Sequence, residues 1–493
     1  MNLNFSTTKL QIALSFGYFL LIFLPSLLNS SYGVFVDEFY YLECSNRLDY
    51  GYVDHPPFSV FFLSLFSLFK SNIFVLRFIP PFLGAASVFL IGSLVKKLGG
   101  NKIGILLASI GFMSAPVFQV LFGFYSMNSF ETLFILILFL LLVELKNSQN
   151  DRIWIFIGMI VGILFMNKHT SILYSVSLLV PVFAMNFKRN VRSIWFWVGL
   201  VFSIVIVFPN LYWQWKNHFV SIEFYKLATI YKNIHTVFYK SLLNQILSQN
   251  PATFPLWLAG FYALWKNSVQ RHFFYSLLFL FLLFIFSGSS RPDRIASIYP
   301  ILFAFGSLAL YEKWKKILLS IIFLFGLVLL PITVPILPPE KLAVYSKFLG
   351  VVPEIEKGKQ SPLPQWFADR IGWEEFAKNM FFIIEKLSGY DKENLAIYTN
   401  YYGEAGALKY FGAKNSIISG HNQYYLWGAP EKIESLIVFG EENRKRFLEY
   451  YSQSEKIGDI PDRRNTSSKE PVFILRKPKI PLKKVWTEFK NFI

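Results

Sequence analysis

The chain is organised around residues Gly33–Phe58, which read GVFVDEFYYLECSNRLDYGYVDHPPF. This stretch is polar, acidic and aromatic, and it lies between two long apolar segments. Ionisable side chains beside a bilayer are costly and commonly belong to a functional site. The clusters Asp37-Glu38 and Asp54-His55 therefore mark this loop as the first candidate site.

The local pattern predicts a helix that begins at Asp37. Asp37 can cap this helix, and Glu38 falls in the first turn, where the helix dipole favours negative charge. Capping explains one acid, and an interfacial helix with an aromatic belt is the alternative to a site. Neither explains the second cluster, in which Pro56-Pro57 predicts a stiff elbow that orients Asp54 and His55.

The composition is that of a membrane protein with some soluble mass. The 493 residues are 54% hydrophobic, 19% aromatic and 16% charged, whereas soluble domains contain about 25% charged residues. The net charge of +17 fits cytoplasmic loops and lipid headgroups, and no motif indicates nucleic-acid binding. The single cysteine, Cys44, excludes an intrachain disulfide and a cysteine-based zinc site.

The apolar pattern predicts a mainly α fold, a polytopic transmembrane helical bundle of about 11 spans. A span needs about 20 apolar residues, and the first candidate is longer than the apolar stretch of about 7–15 residues in a cleavable signal. A shorter apolar segment, 57–69, is predicted to lie at the interface or to re-enter. The eleven predicted spans are 10–28, 73–95, 103–121, 128–145, 153–167, 170–186, 193–212, 253–266, 272–287, 296–311 and 316–335.

The charge of the loops predicts the orientation. Positive residues concentrate in alternate loops, as expected for the cytoplasmic side. The N-terminus is therefore predicted to be cytoplasmic, and the Asp37 loop, the loop 213–252 and the C-terminal tail to be external. The positive residues of the predicted inner loops are Lys96, Lys97, Lys102, Lys146, Arg152, Lys188, Arg189, Arg192, Lys266, Arg271, Lys313, Lys315 and Lys316.

The composition changes near residue 340, which predicts a catalytic membrane domain at 1–340 and an external soluble α/β domain at 341–493. Residues 374–387 resemble a helix, and 395–399 and 435–439 resemble strands. Two clusters within this domain suit sugar or acceptor recognition, because rings stack on sugars and amides bond hydroxyls. Tight turns with packed aromatic rings are an equal alternative. The candidate residues in these clusters are Tyr402, Glu404, His421 and Asn422.

An acidic pair after the first membrane helix, an aromatic helix and then Tyr-x-Asp-His-Pro-Pro resemble the first external loop of the GT-C glycosyltransferases. The resemblance is greatest to the bacterial branch related to protein O-mannosyltransferases and the lipid A aminoarabinose transferase, and it extends to residues 126–131 and 167–170. It implies a polytopic enzyme that takes a sugar from a polyprenyl-phosphate carrier outside the membrane. It also implies that Asp37 is the catalytic or acceptor-orienting carboxylate, with Glu38 beside it.

Some members of that family carry a second acid at the start of the fourth membrane helix. This chain has Asn128 there, with Glu131 one turn further on the same face. The departure weakens the transfer of a second catalytic acid to this chain. Asn128 and Glu131 remain candidates for hydrogen bonding to the substrate.

An inverting transfer needs a carboxylate at the acceptor, positive charge or a metal at the leaving phosphate, and a membrane groove for the lipid. Candidate phosphate-binding residues are Lys168, His169, Arg291 and Arg294. A snorkelling Lys168 and an interfacial Arg291–Asp293 ion pair are the alternatives.

A divalent cation is the candidate cofactor. Asp37, Asp54 and His55, together with Glu38 and Glu131, could supply ligands for Mg²⁺, Mn²⁺ or Zn²⁺. Their spacing is not diagnostic of a metal site.

The sequence thus predicts an integral membrane glycosyltransferase that moves a hexose or pentose from a polyprenyl-phosphate donor to an acceptor hydroxyl or amine. The predicted location is a bacterial inner membrane, with the site in the periplasm. A glycolipid such as lipopolysaccharide, a polysaccharide or a protein could be the acceptor. A transporter or lipid-linked sugar flippase is the alternative, but nearly uncharged span interiors and the absence of a repeat disfavour it. A non-catalytic assembly scaffold is the third hypothesis.

Overall fold

A computed structural model describes residues 6–66, 73–148, 150–232, 234–288, 291–351, 354–356, 359–392, 394–461 and 469–493. Its first two thirds form a helical bundle, because a backbone in hydrocarbon must satisfy its polar groups internally. The α-helices of this part are α1 Thr7–Leu28, α2 Val36–Asn46, α3 Phe58–Ser64, α4 Ile73–Lys97, α5 Lys102–Met113, α6 Pro116–Leu121, α7 Met127–Ser148, α8 Ile153–Asn167, α9 Ser171–Met185, α10 Phe187–Arg192, α11 Ile194–Lys216, α12 Val220–Leu227, α13 Phe238–Ser248, α14 Phe254–Lys266, α15 Arg271–Phe286, α16 Tyr299–Ala309 and α17 Glu312–Thr333.

Every predicted span overlaps one of these helices. Among the described residues, five helices are long and apolar enough to cross a membrane: α1, α4, α7, α11 and α17. Helices α5, α8, α9 and α15 are apolar but shorter. The predicted polytopic bundle is confirmed, and the number of spans is approximate. The predicted segment 57–69 contains α3, and its last residues lie outside the described part of the chain.

The predicted span 103–121 is two helices, α5 and α6. Pro116 begins α6, and proline cannot donate the hydrogen bond that a continuous helix would need there. The side chain of Gln119 donates to the carbonyl of Met113 at 2.8 Å, which gives a hydrogen bond to a carbonyl at the end of α5. The break turns Val117, Val120 and their neighbours toward the cavity described below.

Small residues let membrane helices approach closely. At the contact of α8 with α11, a Cβ built on Gly158 would overlap the backbone of Gly199. At the contact of α14 with α16, a Cβ on Gly260 would overlap the backbone of Leu302. Side chains larger than hydrogen at these glycines would separate the helices.

The loop after α1 differs from its prediction in one detail. Helix α2 begins at Val36 with Phe35 at the N-cap, so Asp37 lies in the first turn and is not the cap. The carboxylate of Glu38 reaches back and accepts from the backbone N–H of Phe35 at 2.7 Å. Because Glu38 performs the capping, Asp37 can project away from the helix end.

The C-terminal part contains a mixed five-stranded sheet in the order β4-β3-β5-β7-β6. Strands β4, β3 and β5 are parallel, and β7 and β6 continue the sheet in antiparallel pairs. The predictions for 374–387, 395–399 and 435–439 are confirmed as α20, β3 and β5. The elements are α18 Pro339–Phe348, β1 Glu354–Glu356, β2 Lys359–Gln360, α19 Gln365–Ala368, α20 Trp373–Glu385, α21 Gly389–Lys392, β3 Leu395–Tyr398, α22 Tyr402–Tyr410, β4 Ser416–Ile418, α23 Gln423–Trp427, β5 Ser435–Phe439, α24 Gly440–Phe447, β6 Tyr451–Pro461 and β7 Lys469–Pro478.

The C-terminal part packs directly on the first loop. Phe39 of α2 contacts the rings of Trp373 and Tyr410 at centroid distances of 5.7 Å and 5.3 Å. The hydroxyl of Tyr40 accepts from the backbone of Gln423 at 3.2 Å, and the side chain of Gln423 accepts from the backbone of Val53 at 3.1 Å. Helix α2 is therefore held between the membrane bundle and the α/β part.

Candidate active site

The candidate site surrounds a cavity of about 1250 Å³ between the bundle and the C-terminal part. One region of its wall is apolar and comes from α6, α13 and the membrane helix α17, and the other is polar. The apolar region includes Val117, Val120, Leu121, Leu247, Leu329 and Ile332. The polar region contains six residues predicted from the sequence, which are Asp37, Asn128, Arg291, Tyr402, Glu404 and His421.

Asp37 lies on the cavity wall in the first turn of α2. The hydroxyl of Tyr402 donates to Asp37 Oδ1 at 2.6 Å, although the two residues are 365 positions apart. Burial raises the pKa of the Tyr402 hydroxyl, and the charge of Asp37 raises it further. The hydroxyl therefore stays protonated and acts as the donor to Asp37.

Glu38 lies outside the cavity wall. It is fully buried, as is Arg77, whose Nη1 donates to both carboxylate oxygens at 2.7 Å and 2.9 Å. Glu38 also accepts from the backbone N–H groups of Phe35 at 2.7 Å and Tyr125 at 2.8 Å. These partners occupy both oxygens, so the geometry favours a structural role over the predicted catalytic one.

Arg291 brings positive charge to the polar region. Its Nη2 and Nε donate to the two carboxylate oxygens of Asp293 at 2.9 Å and 3.1 Å. Burial opposes ionisation of Asp293, but Arg291, Lys168 and Arg294 outweigh it and lower its pKa to about 2. The Arg291 side chain is 55% exposed, so it faces the cavity while Asp293 orients it. Arg294 does not line the cavity, and its carbonyl accepts from Tyr174 at 2.6 Å.

Lys168 is engaged by the start of α7. Its Nζ donates to Asn128 Oδ1 at 2.9 Å and to Glu131 Oε2 at 2.7 Å. Ser171 donates to the other oxygen of Glu131 at 2.7 Å. Asn128 and Glu131 thus share a helix face, as the spacing predicted, but only Asn128 reaches the cavity wall. The carboxylate of Glu131 neutralises Lys168 and ties α7 to the start of α9.

The Asp54-His55 elbow packs behind the cavity. Tyr40 donates to Asp54 Oδ1 at 2.9 Å, and His55 Nε2 lies 4.0 Å from the same oxygen. The imidazole of His55 stacks on Tyr41 with centroids 5.0 Å apart. Neither Asp54 nor His55 lines the cavity, so direct contact with a substrate in the cavity is not their observed role.

His169 is also enclosed. Its ring nitrogens lie 2.9 Å from the hydroxyl of Tyr225 and 2.9 Å from Asn210 Oδ1. Burial lowers the pKa of His169, so the neutral imidazole is favoured and its usefulness as a phosphate-binding cation falls. His169 links the end of α8 to α11 and α12.

The two C-terminal clusters reach the cavity through Tyr402, Glu404 and His421. Glu404 Oε2 accepts from the backbone of Asn400 at 2.9 Å, and the ring of His421 lies 5.1 Å from that of Tyr402. Asn422 has a φ of 47° and its backbone donates to Asn491 at 2.9 Å. Asn422 therefore shapes the turn, whereas Tyr402, Glu404 and His421 face the cavity.

The predicted metal ligands do not gather at one point. Among the residues with described positions, no group of three His, Cys, Asp or Glu side chains could hold a metal ion. Asp54 binds Tyr40, and His55 Nδ1 lies 3.0 Å from the carbonyl of Pro56. The described positions of Asp37, Asp54 and His55 therefore do not form a metal centre with three ligands.

Further cavity residues escaped the sequence analysis. Asp293 was considered only as the partner of Arg291, Asn400 begins the cluster that contains Tyr402 and Glu404, and the others carry no motif of their own. A signal was present for the tryptophans, because aromatic residues at a membrane interface are common in carbohydrate-facing and lipid-facing positions alike. The additional residues are Asp293, Trp366, Trp373, Asn400, Glu470 and Asn491.

Comparison with known proteins supports the predicted resemblance. The family model for dolichyl-phosphate-mannose-protein mannosyltransferase matches residues 54–213. No curated protein matches the chain in sequence.

The fold matches solved structures over almost the whole chain. ArnT from Cupriavidus metallidurans in the apo state is 13% identical, with a TM-score of 0.61, covering 94% of this chain and 97% of that one. ArnT from the same organism bound to undecaprenyl phosphate is 12% identical, with a TM-score of 0.60 and the same coverage. The chain therefore has the fold of ArnT over almost its whole length, and residues 54–213 resemble the protein mannosyltransferases.

Proposed function

We propose that this chain is a membrane glycosyltransferase that moves a hexose or pentose from a polyprenyl-phosphate donor to an acceptor hydroxyl or amine. The observation that carries the proposal is one cavity that combines an apolar wall, an arginine and a positioned carboxylate. An apolar wall suits a lipid chain, and Arg291 suits its phosphate. The structure of ArnT bound to undecaprenyl phosphate, which shares this fold, supports a lipid-phosphate donor.

The reaction places the acceptor between Asp37 and the anomeric carbon. As the acceptor oxygen or nitrogen bonds to that carbon, its proton passes to the Asp37 carboxylate. The bond from the carbon to the phosphate oxygen breaks, and polyprenyl phosphate leaves with the electron pair. Arg291, oriented by Asp293, stabilises the negative charge that grows on the phosphate. Attack opposite the leaving group inverts the anomeric centre.

The surrounding side chains suit the two polar substrates. Trp366, Trp373 and Tyr401 offer aromatic surfaces on the wall, and Asn400 and Glu404 offer amide and carboxylate groups. Rings stack on the apolar faces of sugars, while these polar groups bond hydroxyls. We propose that the donor sugar and the acceptor meet at this wall, on the periplasmic side of a bacterial inner membrane. We propose that the acceptor, which is a glycolipid, a polysaccharide or a protein, binds at this wall.

The first test removes the carboxylate. Asp37→Ala and Asp37→Asn, purified in detergent and checked by melting temperature, are expected to lose at least about 10³-fold in transfer from a lipid-linked sugar. Asp49→Asn is the matched control, because Asp49 lies in the same loop but bonds Trp213 at 2.8 Å outside the cavity. Full activity in both Asp37 variants would refute the mechanism. Lipid-linked sugar flux in proteoliposomes without any transfer would favour a flippase instead.

A further inference from the structure

Tyr402 is placed to act on the reaction through Asp37. It begins helix α22 in the C-terminal part, and its hydroxyl donates to Asp37 Oδ1 at 2.6 Å. A hydrogen bond to an ionised carboxylate is short and about twice as strong as one between neutral groups. The contact therefore connects the α/β part of the chain to the proposed catalytic carboxylate.

The ring of Tyr402 is itself held on two sides. Its centroid lies 4.9 Å from that of Tyr40 and 5.1 Å from that of His421. Tyr40 belongs to α2, the helix that carries Asp37. The donor and its acceptor are thus supported by the same packed layer, which limits the directions in which the hydroxyl can point.

Glycines bring α22 close enough for this contact. A Cβ added to Gly403 would overlap Val36, and one added to Gly406 would lie 2.7 Å from Cβ of Phe39. Both neighbours flank Asp37 on α2. The close approach of the two helices sets the distance across which the Tyr402 hydroxyl reaches the carboxylate.

We propose that Tyr402 is a positioning residue that fixes the orientation of the Asp37 carboxylate toward the acceptor. The inference rests on the proposed function and assigns Tyr402 a role other than the substrate binding expected from its motif. A carboxylate in a first helical turn can rotate about two side-chain bonds, and one strong hydrogen bond selects a rotamer. A small misplacement of a reacting group can cost about 10²-fold in rate. The C-terminal part would thus complete the active site.

The test replaces the hydroxyl while keeping the ring. Tyr402→Phe is expected to lower kcat by about 10-fold to 100-fold while the KM values for donor and acceptor change less than about twofold, because orientation affects the transition state rather than ground-state binding. Incorporating 4-aminophenylalanine at position 402 restores an N–H donor and is expected to recover part of kcat. Tyr424→Phe is the matched control, since its buried hydroxyl has no hydrogen-bond partner among the described residues and its ring also faces Tyr40.

A double variant separates this inference from the proposed function. Adding Tyr402→Phe to Asp37→Asn should cause no further loss, because the two residues act as one unit. An unchanged kcat in Tyr402→Phe, or an effect on KM alone, would overturn the positioning role while the Asp37 mechanism stands. Full activity of both Asp37→Ala and Asp37→Asn would instead refute the Asp37 mechanism, and this inference with it.

Discussion

At the residue scale, Asp37 and Glu38 are neighbours with opposite surroundings. Asp37 faces a cavity and a tyrosine hydroxyl, whereas Glu38 is sealed against Arg77 and two backbone N–H groups. Breaking a buried pair leaves an uncompensated charge, which is far more costly than losing an exposed pair. The first acid is therefore suited to chemistry and the second to holding the helix start.

This difference predicts the behaviour of Glu38→Gln. The variant leaves Arg77 charged and buried beside a neutral amide, so we expect it to lose about 3–5 kcal/mol of stability. The exposed pair of Glu374 with Lys378 supplies the control, and Glu374→Gln should change stability by no more than about 1 kcal/mol. Melting temperatures and chemical unfolding of the purified variants measure both. Wild-type stability combined with lost transfer activity in Glu38→Gln would indicate a catalytic role after all.

At the element scale, the contact of α2 with α22 decides where Asp37 lies. The contact depends on Gly406, whose added Cβ would lie 2.7 Å from Cβ of Phe39 and 3.1 Å from its backbone carbon. Backbone atoms cannot move aside as a flexible side chain can. A larger residue would therefore shift one helix relative to the other.

Gly406→Val should accordingly reduce both stability and transfer, and Gly406→Ala should do so more weakly. Overpacking commonly costs about 1–3 kcal/mol, and displacement of Asp37 adds a loss of rate. Gly389→Ala is the control, because no atom of the described residues beyond its own helical turn lies within 4 Å of its added Cβ. Melting temperature and transfer rate, measured on the same samples, check the prediction. Normal stability and rate in Gly406→Val would mean that α22 does not position α2.

At the scale of the whole molecule, the positive residues predict how the chain lies in the membrane. Lys188 is exposed on α10, on the predicted cytoplasmic side, and Lys432 is exposed in the predicted external part. The natural Cys44 is buried, and burial raises the pKa of its thiol, so it should react slowly with thiol reagents. The labelling of an introduced cysteine can therefore be measured against a low background from Cys44.

In spheroplasts, a membrane-impermeant maleimide should label Lys432→Cys at once. Lys188→Cys should be labelled only after the membrane is permeabilised, because the positive-inside rule places α10 in the cytoplasm. The unmodified chain is the control for reaction at Cys44. The reverse pattern would place the Asp37 cavity on the cytoplasmic side and contradict the proposed orientation.

The sequence by itself determined the class of the molecule. Long apolar segments in hydrocarbon can only be helices, so the bundle followed from composition and period. The acidic loop and its proline elbow indicated the GT-C resemblance, which the family model and the fold confirm. Asp37, Arg291 and the motifs around Tyr402 and His421 were likewise named as candidates from local pattern, and these residues line one cavity.

Only the tertiary structure decided the role of each polar residue. Asp37 and Glu38 are both acidic, and the sequence does not distinguish them. The buried ion pair of Arg77 with Glu38 separates their roles. Lys168 and His169 looked like phosphate ligands until Glu131, Tyr225 and Asn210 proved to be their partners. The link between Tyr402 and Asp37 joins residues far apart in the chain. The local sequence pattern indicates which chemical roles a side chain can perform. Its contacts, which packing sets between residues far apart in the chain, decide which of these roles it performs.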